Sequence, residues 1–248
     1  MVINELPVGS IVRLGRYSLA HRSDDMFDID WIKVSKQNDF IAQKVLLGML
    51  FDAAEGWTPN YSYQLSNIRQ FMNSENVSWF HPTHPDDRQQ TWVMFDNYVR
   101  TDISKYVGLL YHFTDGEISL IEEQNGDRLR LPTFKELNGG FQYFRRHGKK
   151  AHPVEVYGNL SRDNFRDTMF APYYVLGDEV LGLGEVNRMG SISHTSPARL
   201  SGVRPVCKLS ETADVELIDG NTYKCNLPDG YSGRYFRETQ PLSWLLDI

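Results

Sequence analysis

The chain has 248 residues, 41% hydrophobic, 23% charged and 12% aromatic, a balance that buries an ample core without metal or disulfide staples and excludes extended disorder. Its 26 basic and 32 acidic residues leave a net charge of −6 and no dense basic stripe, so nucleic-acid binding is not expected. No window reaches the roughly 20 apolar residues that span a bilayer, and Met1-Val2-Ile3-Asn4-Glu5 lacks the basic and apolar regions of a secretory leader. A soluble chain made in the cytoplasm, without membrane insertion, is the expectation.

Taken in chain order, Val8 to Tyr17 sets Val8, Ile11, Val12 and Leu14 among glycines, and Ile29 to Leu50 is rich in Ile, Val, Leu and Phe. Both runs predict strands. Leu65, Ile68 and Phe71/Met72 recur at helical spacing, with Ser66 near the start and Asn73-Ser74 at the stop, which predicts a short amphipathic helix. Asp86-Asp87 after Pro85, followed by Trp92, Phe95 and Val99, predict a second helix over about 86–100. A strand over 127–131 runs into Pro132-Thr133. There Thr133-Phe134-Lys135-Glu136 has the pattern of a capping box, so a third helix starts at Phe134.

From Val154 onward the texture is short apolar runs broken by Gly, Asn and Pro, which predicts strands over 173–176, 179–183, 203–209, 215–218 and 222–227 joined by long loops. Asp219-Gly220 between the last two runs signals a tight hairpin turn. Cys207 and Cys225 are two cysteines in a long chain, no disulfide framework, and read as reduced, packed thiols. One domain over 1–210 is expected, with a hairpin and assembly tail over 211–248.

Four segments in order carry a family likeness: Leu6 to Tyr17, Ser66 to Asn73, Arg130 to Leu137, and Gly202-Val203-Arg204-Pro205-Val206 followed by Cys207-Lys208-Leu209. Together they resemble a bacterial and phage domain family of unknown function that opens on a Val-Gly-Ser strand and closes on Gly-Val-Arg-Pro. Arg130-Leu131-Pro132-Thr133-Phe134-Lys135-Glu136-Leu137 is also similar to a segment of the formylglycine-generating and sulfatase-modifying enzymes. The resemblance implies an α+β, C-type-lectin-like mixed sheet with short helices and long loops. That enzyme group works with a cysteine pair near its C-terminal core, a pattern Cys207 and Cys225 do not reproduce.

Among chemistry-bearing residues, His81 and His84 with Asp86 and Asp87 are ligand types for zinc, but no second paired set of His or Cys stands elsewhere, and the segment reads as a solvated loop and helix cap. Calcium-binding triplets of sugar-binding C-type lectins are echoed only by Leu227-Pro228-Asp229. Gly182-Leu183-Gly184 lacks the third glycine of a dinucleotide fingerprint, and no Gly-x-Ser-x-Gly elbow occurs. The basic run Arg145 to Lys150 reads as a solvated helix end. Arg69 and Arg204, each within an apolar pattern, read as paired structural arginines, and Tyr17, Trp31 and Trp57 as core.

The stretch 159–201 holds Tyr173, Tyr174, Asn187, Arg188, His194 and Arg199 among small residues, the mix of a recognition loop; in C-type-lectin-like scaffolds such loops carry ligand contacts. Tyr235, Phe236, Trp244, Leu245 and Leu246 crowd the end of the chain and are the assembly candidates. The reading is a non-enzymatic phage virion structural, adhesion or decoration protein, with no catalytic residue, metal or cofactor. Its expected partners are other virion proteins or itself, and a host surface glycan or protein. The alternatives are an enzyme related to the formylglycine-generating group, a bacterial carbohydrate-binding module, and cytoplasmic residence in place of the virion.

Overall fold

The computed structural model describes residues 1–17, 26–49, 51–52, 62–76, 92–96, 99–102, 107–154, 170–177, 182–197 and 201–227. Within them the strands are β1 (Ile11–Tyr17), β2 (Phe27–Lys33), β3 (Asp39–Ala42), β4 (Leu47–Met49), β5 (Trp92–Asp96), β6 (Val99–Asp102), β7 (Leu129–Arg130), β8 (Tyr173–Leu176), β9 (Leu183–Val186), β10 (Ile192–His194), β11 (Ser201–Val203), β12 (Val206–Lys208), β13 (Val215–Asp219) and β14 (Thr222–Cys225). The helices are short: α1 (Asn67–Met72), α2 (Asp115–Ser119) and isolated turns of 3-10 or π type. This is an α+β arrangement of mixed sheets, ordered β13-β14-β1-β2-β3-β12-β7, β10-β9-β8-β11-β4, and a β5-β6 pair.

Two apolar clusters flank the seven-stranded sheet. Strand side chains alternate faces, so Val12, Leu14, Ile29, Trp31 and Phe40 enter one cluster while Ile32, Ile41 and Val206 enter the other. In β1 the alternation breaks between Arg13 and Arg16, where Gly15 has a φ of 77° and the register with β2 shifts. This bulge returns Tyr17 to the interior. Trp31 is fully buried and its indole donates to the Leu14 carbonyl at 2.9 Å, which satisfies the ring's one polar atom.

The helix α1 starts where Ser66 caps it, accepting from the Arg69 N–H at 3.3 Å. Arg69 is paired, with Nε donating to both carboxylate oxygens of Asp127 at 2.8 and 3.0 Å. Asn73 closes the helix and at the same time completes the edge of β7. Its amide donates to the Leu129 carbonyl at 2.8 Å, and its Oδ1 accepts from the Arg128 and Leu129 N–H groups at 2.8 and 2.9 Å. The capping box at Thr133 is present: Thr133 N–H donates to Glu136 at 2.8 Å and Glu136 N–H to the Thr133 hydroxyl at 3.3 Å. Arg130 grips the same carboxylate through Nη1 and Nη2 at 2.9 and 2.6 Å. Thr133→Ala should therefore lower the urea midpoint by the equivalent of about 0.5–2 kcal/mol with an unchanged slope.

Three expectations require correction. The helix over about 86–100 is not formed in its described part; β5 and β6 pair there as an antiparallel hairpin, Trp92 opposite Asp102. The hairpin β13–β14 is not set apart from the sheet, because β14 pairs in parallel with β1 over Ile11–Arg13, and Val215 and Cys225 belong to the main core. The run 203–209 is two strands, broken at Arg204-Pro205, where the chain leaves the five-stranded sheet at β11 and enters the seven-stranded sheet at β12. Among the described residues no helix is long and apolar enough to cross a membrane.

Candidate functional site

β1 and β2 are longer than their neighbours. β14 pairs with β1 only as far as Arg13, and β3 pairs with β2 only as far as Trp31, with one further bond from Gln43 N–H to the Asp30 carbonyl at 2.8 Å. The outer half of the β1–β2 pair therefore runs beyond the paired ends of both neighbours; its inner face stays buried in the core through Leu14, Tyr17 and Ile29, and its solvent face carries Arg13, Arg16, Asp28 and Asp30 in cross-strand pairs. Arg13 holds Asp30 through Nε and Nη2 at 2.9 and 3.3 Å, and Arg16 holds Asp28 at 2.8 Å. Bonding to Asp30 raises the Arg13 pKa, so the guanidinium stays charged. The pairs are part exposed and worth about 0–1 kcal/mol each to stability; their effect is to fix carboxylate direction.

A cleft opens on each side of this strand pair. One, of about 220 Å³, lies beside β2 and is lined by Phe27, Asp28, Ile29, Asp30, Gln43, Lys44, Leu46 and Val154. The other, of about 240 Å³, lies where β14 leaves β1, between Arg13, Arg16, Glu117, Lys224, Ile218 and Leu227. Its wall is held by Glu117, whose Oε1 accepts from the Gly15 N–H at 3.1 Å while its Oε2 accepts from Thr114 N–H at 2.8 Å as the capping box of α2. No local sequence pattern marks either cleft.

Of the residues expected to form the recognition loop, those described do not gather. Tyr173 and Tyr174 sit on β8, an inner strand covered on both faces, and both are fully buried. Tyr173 donates to the Lys149 carbonyl at 2.6 Å and accepts from Arg204 at 3.1 Å; the Tyr174 hydroxyl accepts from the Phe51 N–H at 3.1 Å. Their hydroxyls are spent on core bonds, which takes both out of any surface site. Asn187 closes the β9–β10 turn, its Oδ1 accepting from the Met189 and Ser191 N–H groups at 2.9 and 3.1 Å. Arg188 is half-buried in the same turn, and His194 is exposed at the far end of β10. Arg199, His81, His84, Asp86, Asp87, Trp57, Tyr235, Phe236, Trp244, Leu245 and Leu246 lie outside the described residues.

Both thiols are buried and unbridged. Burial, aided by Asp39 and the second thiol, pushes Cys207 well up, and burial with Glu117 nearby pushes Cys225 up to about 12. A nucleophilic cysteine needs the opposite shift. A thiol reagent at pH 8 should label neither in the native protein and both after unfolding in guanidinium; rapid native labelling would contradict the packing. Among the described residues no three His, Cys, Asp or Glu side chains gather as metal ligands. No family model, curated protein or solved structure matches the chain.

Proposed function

We propose that the protein is a non-enzymatic binding component of a phage particle, a structural, adhesion or decoration protein on a C-type-lectin-like scaffold. One observation carries this reading. The solvent face of the outer β1–β2 pair presents charged groups already oriented by one another, with a cleft on each flank. Carboxylates locked in this way by guanidinium groups suit recognition, where pre-ordered polar groups reduce the cost of binding, better than proton transfer. Edge strand β13 adds exposed apolar surface at Leu217 and Ile218, 57% and 48% exposed, beside the point where residue 227 leads to the tail. Assembly through Tyr235, Phe236, Trp244, Leu245 and Leu246 belongs to the same proposal, with other particle proteins or a second copy as partner.

The test is mass spectrometry of density-purified particles, with the full chain and a Tyr235→Ser/Phe236→Ser/Trp244→Ser variant. Incorporation of the parent and its loss in a folded variant support the reading. A chain confined to host lysate, or one that turns over a substrate, overturns it. A carbohydrate-binding module is the second reading, favoured by the carboxylate, amide and aromatic groups that meet in the cleft beside β2.

A further inference from the structure

We propose that the cleft beside β2 binds a single uncharged pyranose ring; this rests on the reading of the protein as a binder. Its shape follows from strand length. Gln43 makes the last bond of that edge to Asp30, after which the chain turns through Lys44 and Leu46 toward β4. In an antiparallel ladder alternate residues direct both backbone groups to the same neighbour. Asp28, two positions from Asp30, therefore turns its N–H and carbonyl toward the cleft, past the end of β3.

The side chains supply what a sugar ring needs. Asp28 and Asp30 are 36% and 25% exposed, so their free lone pairs face solvent. Each carboxylate has about four acceptor positions, more than the arginines fill. The Gln43 amide makes no side-chain hydrogen bond among the described residues and adds a donor and an acceptor. Beneath them Ile29, Leu46 and Val154 form a buried apolar floor, and Phe27, held edge-on to Tyr17 at 5.9 Å, forms a wall. A pyranose combines these two surfaces: hydroxyls around its rim and C–H groups on its faces.

Charge and size narrow the choice. Asp28 and Asp30 are balanced by Arg16 and Arg13, which leaves no net negative field for a metal ion or a polyamine. At about 220 Å³ the cleft is smaller than the roughly 300–1,000 Å³ of sites for drug-sized ligands and admits one ring.

Titrating the full chain with D-glucose, D-galactose, D-mannose and N-acetyl-D-glucosamine, followed by protein-observed NMR, tests this. At least one sugar is expected to bind with a Kd of about 1 mM or tighter. Gln43→Ala, which breaks no bond of the fold, and Asp30→Ala should each weaken it about tenfold or more, while Lys224→Ala in the other cleft should not. If Asp30→Ala fails to fold, Gln43→Ala decides. Silence from all four sugars at ten times that concentration, or unchanged affinity in Gln43→Ala, overturns the proposal. Saturable binding of spermidine or inorganic phosphate in place of sugar overturns it as well. Particle incorporation that persists alongside silent titrations removes the sugar and leaves the binding protein standing.

Discussion

Arg204→Ala is expected to lower the unfolding free energy by about 3–5 kcal/mol, the sum of a cavity and of polar groups left buried without partners. Arg204 is 2% exposed at the crossing between the two sheets. Its Nε donates to the Ala42 carbonyl at 2.9 Å, and its Nη1 to the Tyr173 hydroxyl at 3.1 Å and the Lys149 carbonyl at 3.3 Å. The guanidinium also lies 5.0 Å from the centre of the Tyr173 ring and 5.9 Å from that of Phe144. Ala42 sits where β3 leaves the seven-stranded sheet, so this one side chain ties both crossings together. Arg204→Lys should recover only part of the loss, since an ammonium cannot reproduce the planar fork that meets several acceptors at once. Urea unfolding followed by fluorescence measures it. A loss under about 1 kcal/mol, or normal stability with abolished sugar binding, would reassign Arg204 from scaffold to site.

What the sequence made legible was local. Ser66 and Thr133 announce helix starts because a cap needs only a hydroxyl three residues before an N–H. Asp219-Gly220 announces its hairpin because the turn demands those residue types. The same signal stands at Thr114-Asp115-Gly116-Glu117, whose capping box starts α2. The segment from Trp92 to Asp102 is ambiguous because Trp92, Phe95 and Val99 also satisfy helical spacing, while the β-favouring runs on either side of Asp96 carry the strands that form. Tyr173 and Tyr174 are ambiguous for another reason: adjacent tyrosines on a two-sided strand enter opposite cores, and only the neighbouring strands decide that. The clefts were illegible on the same ground. They exist because β3 and β14 stop short of β2 and β1, and strand pairing across the chain is not written in any one segment.

Gly202→Ala should cost about 3 kcal/mol, although its backbone conformation suits any residue. The reason is space. Gly202 lies in β11 between β8 and β4, its N–H donating to the Pro172 carbonyl at 3.1 Å, and a Cβ there would stand 2.4 Å from that carbonyl oxygen and 2.4 Å from Val45 Cγ1. Val45 can rotate, but Pro172 leads directly into β8 and moves only if the strands spread. Overpacking of this kind typically costs about 1–3 kcal/mol, and a backbone obstacle places it at the upper end. Gly148→Ala, where nothing lies within 4 Å, serves as the control and should stay within about 0.5 kcal/mol of the parent. Adding Val45→Ala to Gly202→Ala removes one of the two obstacles, so the double variant should lose less than the sum of the singles. Strict additivity, or a Gly202→Ala protein that unfolds at the parent's urea midpoint, would mean that β11 and β8 part easily, and the glycine of the Gly-Val-Arg-Pro segment would then need a reason other than close strand approach.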